Sequence, residues 1–175
     1  MSQKSKSVSK EYSLDDDPRT MAEESRAIYE SADADIGKWA MLSGAANKSE
    51  SQITSFERMA VIKKGVSKKE LELLKNKAAL DYSMLAKALS VTRATLINKK
   101  KEQKFNTALS EKIVSLADLY SYGFEIFGDK DLFNKWMRNP NRAIGGQVPY
   151  DLIDNQYGRE EIKNLIGRIA YGVYS

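Results

Sequence analysis

Apolar residues recur at helical spacing along most of the chain after residue 50, and no alternating pattern long enough for a strand interrupts them. Steps of three and four residues predict one long helix, whose apolar stripe comprises Leu109, Ile113, Leu116, Tyr120, Phe124 and Phe127. Gly128 follows the stripe and is predicted to end this helix, because glycine adopts the left-handed conformation of a helix C-terminus at little cost. The sequence therefore predicts an all-α fold.

Shorter helices are predicted on both sides of the long one. Polar side chains able to accept hydrogen bonds from first-turn N–H groups mark their starts at Ser67, Asp81, Thr92 and Asp129. Glu70 is placed to complete a capping box with Ser67. Pro149 is predicted to open a single helical turn. The apolar faces of the shorter helices are predicted to contain Ile53, Phe56 and Ala60, then Leu71, Leu74 and Ala78, and finally Ile162, Leu165, Ile166 and Ile169.

Residues 82–101 carry the strongest local pattern, that of two short helices crossing at a tight turn. Ala86 is small enough for a close crossing, and the second helix is predicted from Arg93 to about Lys101. The apolar residues beside the crossing are Leu85, Leu89, Val91 and Leu96. Ser90 stands where a helix-turn-helix usually has glycine, and Lys99 where it usually has an apolar residue. An ordinary pair of packed helices with a lysine-rich end is the alternative interpretation.

The register of these two helices predicts a DNA-contacting face. Arginine reads guanine edges and asparagine reads adenine edges in the major groove, whereas lysines neutralise phosphates. The predicted DNA-binding residues are Thr92, Arg93, Thr95, Asn98, Lys99, Lys100, Lys101 and Lys104. Residues 61–107 contain twelve basic and four acidic residues, although the whole chain has a net charge of only +4. This concentration of positive charge favours a polyanion as partner.

Composition argues against an enzyme and against a membrane protein. The 175 residues contain no cysteine and no histidine, which excludes disulfides, zinc fingers and a Cys–His catalytic pair. Two pairs of carboxylates, Asp129 with Asp131 and Glu160 with Glu161, fall in charged helix starts, where capping and the helix dipole explain them. No catalytic residue, metal ligand or cofactor is predicted. Since no apolar run could span a bilayer and no signal peptide is evident, a cytoplasmic protein without a membrane partner is expected.

The chain is predicted to divide into three segments. Residues 1–50 are mostly polar and include the acidic run Asp15-Asp16-Asp17, so they are expected to form an extension that is partly disordered or loosely helical. Residues 51–107 hold the predicted helix-turn-helix. Residues 108–175 form a second helical segment that begins with the long stripe.

The C-terminal segment carries a distinctive set of motifs. The run from Asn139 to Gly146 reads Asn-Pro-Asn-Arg-Ala-Ile-Gly-Gly and precedes Pro149, and Gly172-Val173-Tyr174 follows near the end. With Trp136, Gly158 and the stretch Leu165-Ile166-Gly167-Arg168-Ile169, this set resembles the C-terminal domain of the Xre–MbcA–ParS antitoxins. Those antitoxins accompany RES-domain toxins in bacterial type II toxin–antitoxin systems. The resemblance extends weakly through an Xre-like helix-turn-helix to about residue 55.

The resemblance implies a partner and a mechanism. RES toxins are enzymes that destroy NAD, and the C-terminal end of the antitoxin packs over the toxin's active-site cleft and keeps NAD out. The toxin-binding residues carried over to this chain are Arg168, Ile169, Tyr171, Gly172, Val173, Tyr174 and Ser175. A tail of tyrosine, valine and glycine is suited to a concave apolar pocket, where a charged tail would be costly to bury.

The resemblance also implies a homodimer that, with the toxin, binds operator DNA and represses its own promoter. In that interpretation residues 51–107 bind DNA and residues 108–175 dimerise and neutralise the toxin. Helix-turn-helix proteins usually read paired half-sites, which favours a dimer. The long stripe would supply an apolar dimer surface, although a buried central helix explains it equally well. The alternative function is a stand-alone helix-turn-helix transcriptional regulator with a C-terminal dimerisation domain.

Overall fold

A computed structural model describes residues 40–42 and 48–171. The described residues form helices and no β-strand, in agreement with the predicted all-α class. The helices are α1 (Ser55–Lys64), α2 (Lys68–Lys77), α3 (Tyr82–Leu89), α4 (Arg93–Ile97), α5 (Thr107–Phe127), α6 (Lys130–Met137), α7 (Pro149–Leu152) and α8 (Gln156–Ala170), with a 3-10 turn at Arg142–Ile144. None of these helices combines the length and the apolarity needed to cross a bilayer.

Most of the predicted N-terminal extension lies outside the described residues. Its residues 40–42 are held against the core, where Met41 and Leu42 are buried. Their backbone N–H groups donate to the carboxylate of Glu50 at 2.7 and 2.6 Å. Glu50 is itself buried, and this burial raises the pKa of its carboxyl group despite those bonds. Residues 40–42 are therefore held against the core by two hydrogen bonds to a buried carboxylate.

Polar side chains start the helices where the sequence predicts them. Ser67 and Glu70 form the expected capping box, with the Ser67 N–H donating to Glu70 Oε2 at 2.7 Å. Asp81, Thr92 and Asp129 cap α3, α4 and α6. A second capping box, formed by Thr54 and Glu57 at the start of α1, was not predicted. Each cap satisfies first-turn N–H groups that the helix itself leaves without acceptors.

The long helix α5 lies at the centre of the fold. Its predicted stripe is buried from Leu109 to Phe124, and Gly128 ends the helix in the left-handed conformation, with φ of 66°. Helices α1, α3, α6 and α8 all contact α5. The stripe is therefore covered within the chain itself, which favours the buried central helix over an apolar dimer surface.

An aromatic cluster joins α5 to α6. The ring of Phe133 packs edge-on against Tyr120 and Phe124, with ring centroids 5.5 Å apart in both cases, and stacks on Trp136 at 5.8 Å. Gly123 makes room for it, because a Cβ atom at that position would lie 2.2 Å from Phe133 Cζ. Such perpendicular and stacked aromatic pairs contribute stability beyond the area they bury.

The C-terminal helices α7 and α8 each donate a hydrogen bond to a backbone carbonyl of α3. Arg159 of α8 is only 6% exposed, and its guanidinium donates to Ala88 O at 2.6 Å and to Ile153 O at 2.9 Å. Tyr150 of α7 donates its hydroxyl to Met84 O at 2.6 Å. Of these acceptors, the Ala88 carbonyl lies in the last turn of α3, where the helix itself provides no N–H donor. The predicted boundary between residues 107 and 108 stays a prediction, and side chains cross it at several points.

Two details of the predicted helices are wrong. In α1, Ile53 is buried ahead of the helix, but Phe56 is 82% exposed and Ala60 is also exposed. The helix instead turns Val61 towards the core, because Arg58 is held by an ion pair with Asp118 of α5 that fixes the rotation of α1 about its axis.

The second error concerns α4, which ends at Ile97 and not near Lys101. The buried ammonium group of Lys68 donates to Leu96 O at 2.6 Å and to Ile97 O at 3.1 Å. These carbonyls would accept the N–H groups of residues 100 and 101 if the helix continued. The N–H of Lys100 donates instead to the Gln103 side chain at 3.0 Å. Lys68 and Gln103 therefore replace the bonds of a further helical turn.

The turn between α3 and α4 requires a left-handed backbone conformation at Ser90. This requirement explains why a helix-turn-helix usually has glycine at this position. Ser90 has φ of 52°, in the left-handed region that non-glycine residues rarely adopt. Its hydroxyl donates to Asp154 O at 2.7 Å, a bond that glycine could not make. This bond offsets part of the conformational cost and ties the turn to the loop between α7 and α8.

Gly158 provides a test of the packing between α7 and α8. A Cβ atom there would lie 1.6 Å from Leu152 O, whereas one at Gly167 in the same helix would make an ordinary contact, 3.4 Å from Tyr122 Oη. We expect Gly158→Ala to lower the free energy of unfolding by about 3 kcal/mol or more, because backbone atoms must move apart. Gly167→Ala should be neutral or stabilise by up to about 1 kcal/mol through helix propensity. Urea denaturation measures both, and equal effects would contradict this packing.

Candidate functional site

The predicted toxin-binding residues lie at the C-terminal end of α8. Arg168 is partly exposed and pairs with Glu161, about two turns earlier in the helix, at 3.5 Å. Ile169 is half-buried. Tyr171 follows the helix and is 85% exposed. Gly172, Val173, Tyr174 and Ser175 lie outside the described residues.

A shallow, mainly apolar groove runs beside this helix end. Its lining consists of Tyr122 from α5 together with Lys163, Asn164, Gly167, Arg168 and Tyr171. The Tyr122 hydroxyl lies close to α8 at Gly167, where a Cβ atom would be 3.4 Å from it. The sequence analysis missed Tyr122, Lys163 and Asn164. The helical spacing of residues 164, 167, 168 and 171 was the signal that could have revealed one face of the groove.

Tyr122 contributes a neutral hydroxyl to this groove. Burial raises the pKa of the Tyr122 phenol, and the neighbouring Tyr171 and Glu125 raise it further. The group therefore stays protonated at neutral pH and is able to donate a hydrogen bond. A partner carbonyl or carboxylate would be a suitable acceptor.

A network of three charged residues holds Lys163, one of the side chains that line the groove. Asp118 of α5 accepts from Lys163 Nζ at 2.6 Å and from Arg58 Nη2 at 2.8 Å. The ammonium of Lys163 also lies 5.5 Å from the centroid of the Tyr122 ring. Arg58 donates in addition to Glu50 O at 3.0 Å. This network joins α1, α5 and α8, so it fixes the wall of the groove that Lys163 provides.

The predicted DNA-binding face forms a second surface, on and after α4. Thr92, Arg93, Thr95 and Asn98 are exposed, whereas Leu96 is buried against the core. Thr92 accepts from the Thr95 N–H at 3.2 Å, which caps the helix. Arg93 thus begins α4 and Asn98 directly follows it, and both side chains are exposed to solvent.

The four predicted phosphate-binding lysines lie after the end of α4 and differ in their surroundings. The ammonium of Lys99 is 5.6 Å from the ring centroid of Phe105, so the position where an apolar residue is usual is still half-buried. Lys104 donates to Lys64 O at 2.8 Å. Lys100 and Lys101 are exposed, and neither pairs with a carboxylate among the described residues.

Comparison with known proteins identifies the C-terminal part. The family model described as the antitoxin Xre/MbcA/ParS C-terminal toxin-binding domain matches residues 123–172. A protein of Sphingobium sp. named Prs ADP-ribosylating antitoxin is 31% identical over 130 residues, which cover 68% of this chain and 81% of that protein. This chain belongs to the Xre/MbcA/ParS antitoxin family.

Two proteins named Antitoxin Xre are also similar to this chain. A protein named Antitoxin Xre from Photorhabdus laumondii is 34% identical over 73 residues, which cover 41% of this chain and 49% of the relative's own length. Another Antitoxin Xre, from Yersinia enterocolitica, is 26% identical over 116 residues, which cover 65% of this chain and 78% of that protein.

The Xre/MbcA/ParS toxin-binding domain corresponds to a defined part of the fold. It begins at Gly123, which accommodates Phe133, and extends through α6, α7 and α8 to Gly172. Apart from Tyr122, every residue that lines the groove lies within this domain. In the described part of the chain, the Asp and Glu residues do not gather into a group of three or more suited to a metal ion, and the sequence has no His or Cys to join them.

The network around Asp118 gives a testable effect on stability. In Asp118→Asn, the cations of Arg58 and Lys163 lose their shared carboxylate. We expect the free energy of unfolding to fall by about 1–3 kcal/mol, less than for a fully buried pair because both cations are partly exposed. The matched control is Glu161→Gln, which removes the exposed pair with Arg168 and should cost less than about 1 kcal/mol. Chemical denaturation of both variants measures the difference, and a harmless Asp118→Asn would rule out a structural role for the network.

Proposed function

We propose that this chain is an antitoxin that neutralises a cognate RES-domain toxin by occluding its active site, and that it also binds operator DNA to repress its own operon. The observation that carries the proposal is the exposed Tyr171 beside an apolar groove, at the end of a domain whose family is described as toxin-binding. The antitoxin supplies no catalytic residue in this proposal. Its action is steric.

Occlusion would use the end of α8 and the residues that follow it. Tyr171 offers a rigid aromatic side chain of the kind that contributes most to protein interfaces. Arg168 is exposed enough to exchange its weak pair with Glu161 for a carboxylate of the toxin. Residues 172–175 would continue from Tyr171 into the cleft and fill the volume that NAD needs.

The toxin's reaction is proposed at the level of its substrate. The Sphingobium relative is named for ADP-ribosylation, which transfers ADP-ribose from NAD, whereas the family resemblance implies degradation of NAD. Both reactions begin with NAD bound in the toxin's cleft. A tail that excludes NAD would stop either one, in the cytoplasm where NAD is available.

DNA binding is supported by the exposed face of α4. Arg93 has the donors for a bidentate contact with guanine, and Asn98 has the donor and acceptor that adenine requires. Lys100 and Lys101 follow shortly after Asn98 in the chain, and neither has a carboxylate partner among the described residues. A homodimer would place two such faces on paired half-sites of the operator.

The neutralisation proposal predicts different roles for two tyrosines of similar exposure. Tyr171 is 85% exposed after α8, and Tyr157 is 82% exposed near its start. We expect Tyr171→Ala to weaken the complex with the toxin by about 2 kcal/mol, or roughly 30-fold, because it removes a central aromatic contact. Tyr157→Ala is the matched control and should leave the affinity unchanged.

The measurement uses a catalytically inactive form of the proposed RES-domain toxin, titrated with this chain by calorimetry. Removal of residues 172–175 should in addition abolish protection of cells that express the active toxin, while the helical content stays the same. Full protection by the shortened chain would refute occlusion. Absence of any complex would favour the stand-alone regulator.

The DNA-binding proposal predicts two distinct kinds of defect. Arg93→Ala and Asn98→Ala should each relax base preference at one position of the preferred site, with a loss of about 1–3 kcal/mol. Lys100→Gln and Lys101→Gln should instead weaken binding to all sequences and reduce the salt dependence by about 0.9 per lost phosphate contact. Selection from a randomised duplex pool, followed by titrations at several salt concentrations, distinguishes the two. Unchanged preference in both Arg93→Ala and Asn98→Ala would contradict base reading by α4.

A further inference from the structure

Five exposed lysines surround the junction between α1 and α2, and only three of them belong to the predicted DNA-binding set. We call them the lysine strip, and they are Lys64, Lys69, Lys100, Lys101 and Lys104. None of the five pairs with a carboxylate among the described residues. Lys64 and Lys69 lie within the basic segment 61–107 but precede the two-helix pattern of residues 82–101, so the register of that pattern did not select them.

Backbone hydrogen bonds place the two parts of the lysine strip side by side. The chain after α4 runs antiparallel to the α1–α2 junction, with Phe105 N donating to Val66 O at 2.8 Å and Lys68 N donating to Gln103 O at 3.1 Å. Lys69 N donates to Lys101 O at 3.0 Å. Lys69 therefore lies next to Lys101. Lys64 lies next to Lys104, because the Lys104 ammonium donates a hydrogen bond to the Lys64 carbonyl.

A buried lysine fixes the lysine strip to the helix that carries the base-reading side chains. Lys68 is 5% exposed, and its ammonium bonds the last two carbonyls of α4. Because Lys69 is the next residue, its position relative to α4 is set by the same contact. The backbone that carries the lysine strip thus lies against the C-terminal end of α4.

The charge of the lysine strip is not balanced locally. Glu70, the nearest carboxylate in sequence to Lys69, is occupied by the capping box with Ser67. Glu102 is the one carboxylate within residues 98–104. Like charges this close repel one another, and a row of phosphates relieves that repulsion while releasing its own counterions.

We infer that the lysine strip contacts the phosphate backbone of duplex DNA beside the base pairs that α4 faces, with Lys64 and Lys69 adding contacts to those of the loop lysines. This inference rests on the DNA-binding part of the proposed function. Duplex DNA is favoured over an acidic protein because the strip continues directly from the exposed face of Arg93 and Asn98. The strip adds affinity and orientation and carries no base preference.

The experiment compares the full-length chain with Lys64→Gln, Lys69→Gln and the double variant, on a mixed-sequence duplex of about 30 base pairs at about 50–200 mM salt, where phosphate contacts dominate binding. Fluorescence anisotropy gives the affinity at each salt concentration. Each single variant should reduce the magnitude of the negative slope of log affinity against log salt by about 0.9, and the double variant by about 1.8. Base preference in a randomised pool should stay unchanged.

The control is Lys135→Gln, which removes one exposed charge on α6. Its neighbour Asn134 donates to Lys77 O at 3.4 Å, so Lys135 lies near the end of α2 opposite to Lys69. This control should leave the slope unaltered. A wild-type chain that fails to bind the duplex overturns the DNA part of the proposed function together with this inference. If the wild-type chain binds the duplex and the double variant has the same slope, this inference alone is overturned. The same holds if the double variant loses toxin binding while its slope stays unchanged.

Discussion

Burial of the apolar stripe of α5 is the interaction on which the remaining structure depends. Ile113, Leu116 and Phe124 are fully covered, and burying each such side chain contributes about 1.5–3 kcal/mol. Helices from both ends of the described chain pack around this stripe, so the proposed DNA-binding and toxin-binding surfaces are built on one shared core. The polar groups at both surfaces are positioned by helices whose places α5 determines.

The helical framework was largely predictable because its signals are local. The caps at Ser67, Asp81 and Thr92, and the end of α5 at Gly128, each depend on a few adjacent residues. The errors arose where distant residues decide the outcome. The rotation of α1 follows from the pairing of Arg58 with Asp118, sixty positions away, and the early end of α4 follows from the buried ammonium of Lys68.

The candidate site was predictable to a smaller degree. Resemblance to a family indicated Arg168, Ile169 and Tyr171, and the helix-turn-helix register indicated the exposed residues of α4. Neither could indicate Tyr122, because its place beside α8 depends on the packing of two helices that are remote in sequence. The charges of the chain also separate in a way that composition does not show. Asp118 unites three helices through its two cations, whereas the lysines near α4 keep their charge unpaired within the described residues.

The guanidinium of Arg159 has a consequence for how the chain can be divided. It bonds the end of α3 and the loop before α8 at the same time, so each acceptor belongs to a different predicted segment. Expressed separately, the N-terminal piece would leave the Ala88 carbonyl without this donor, and in the C-terminal piece the guanidinium would keep only the Ile153 carbonyl of these two acceptors. The two activities proposed for this antitoxin would then reside in one indivisible folding unit, and recombination between relatives would have to exchange both together.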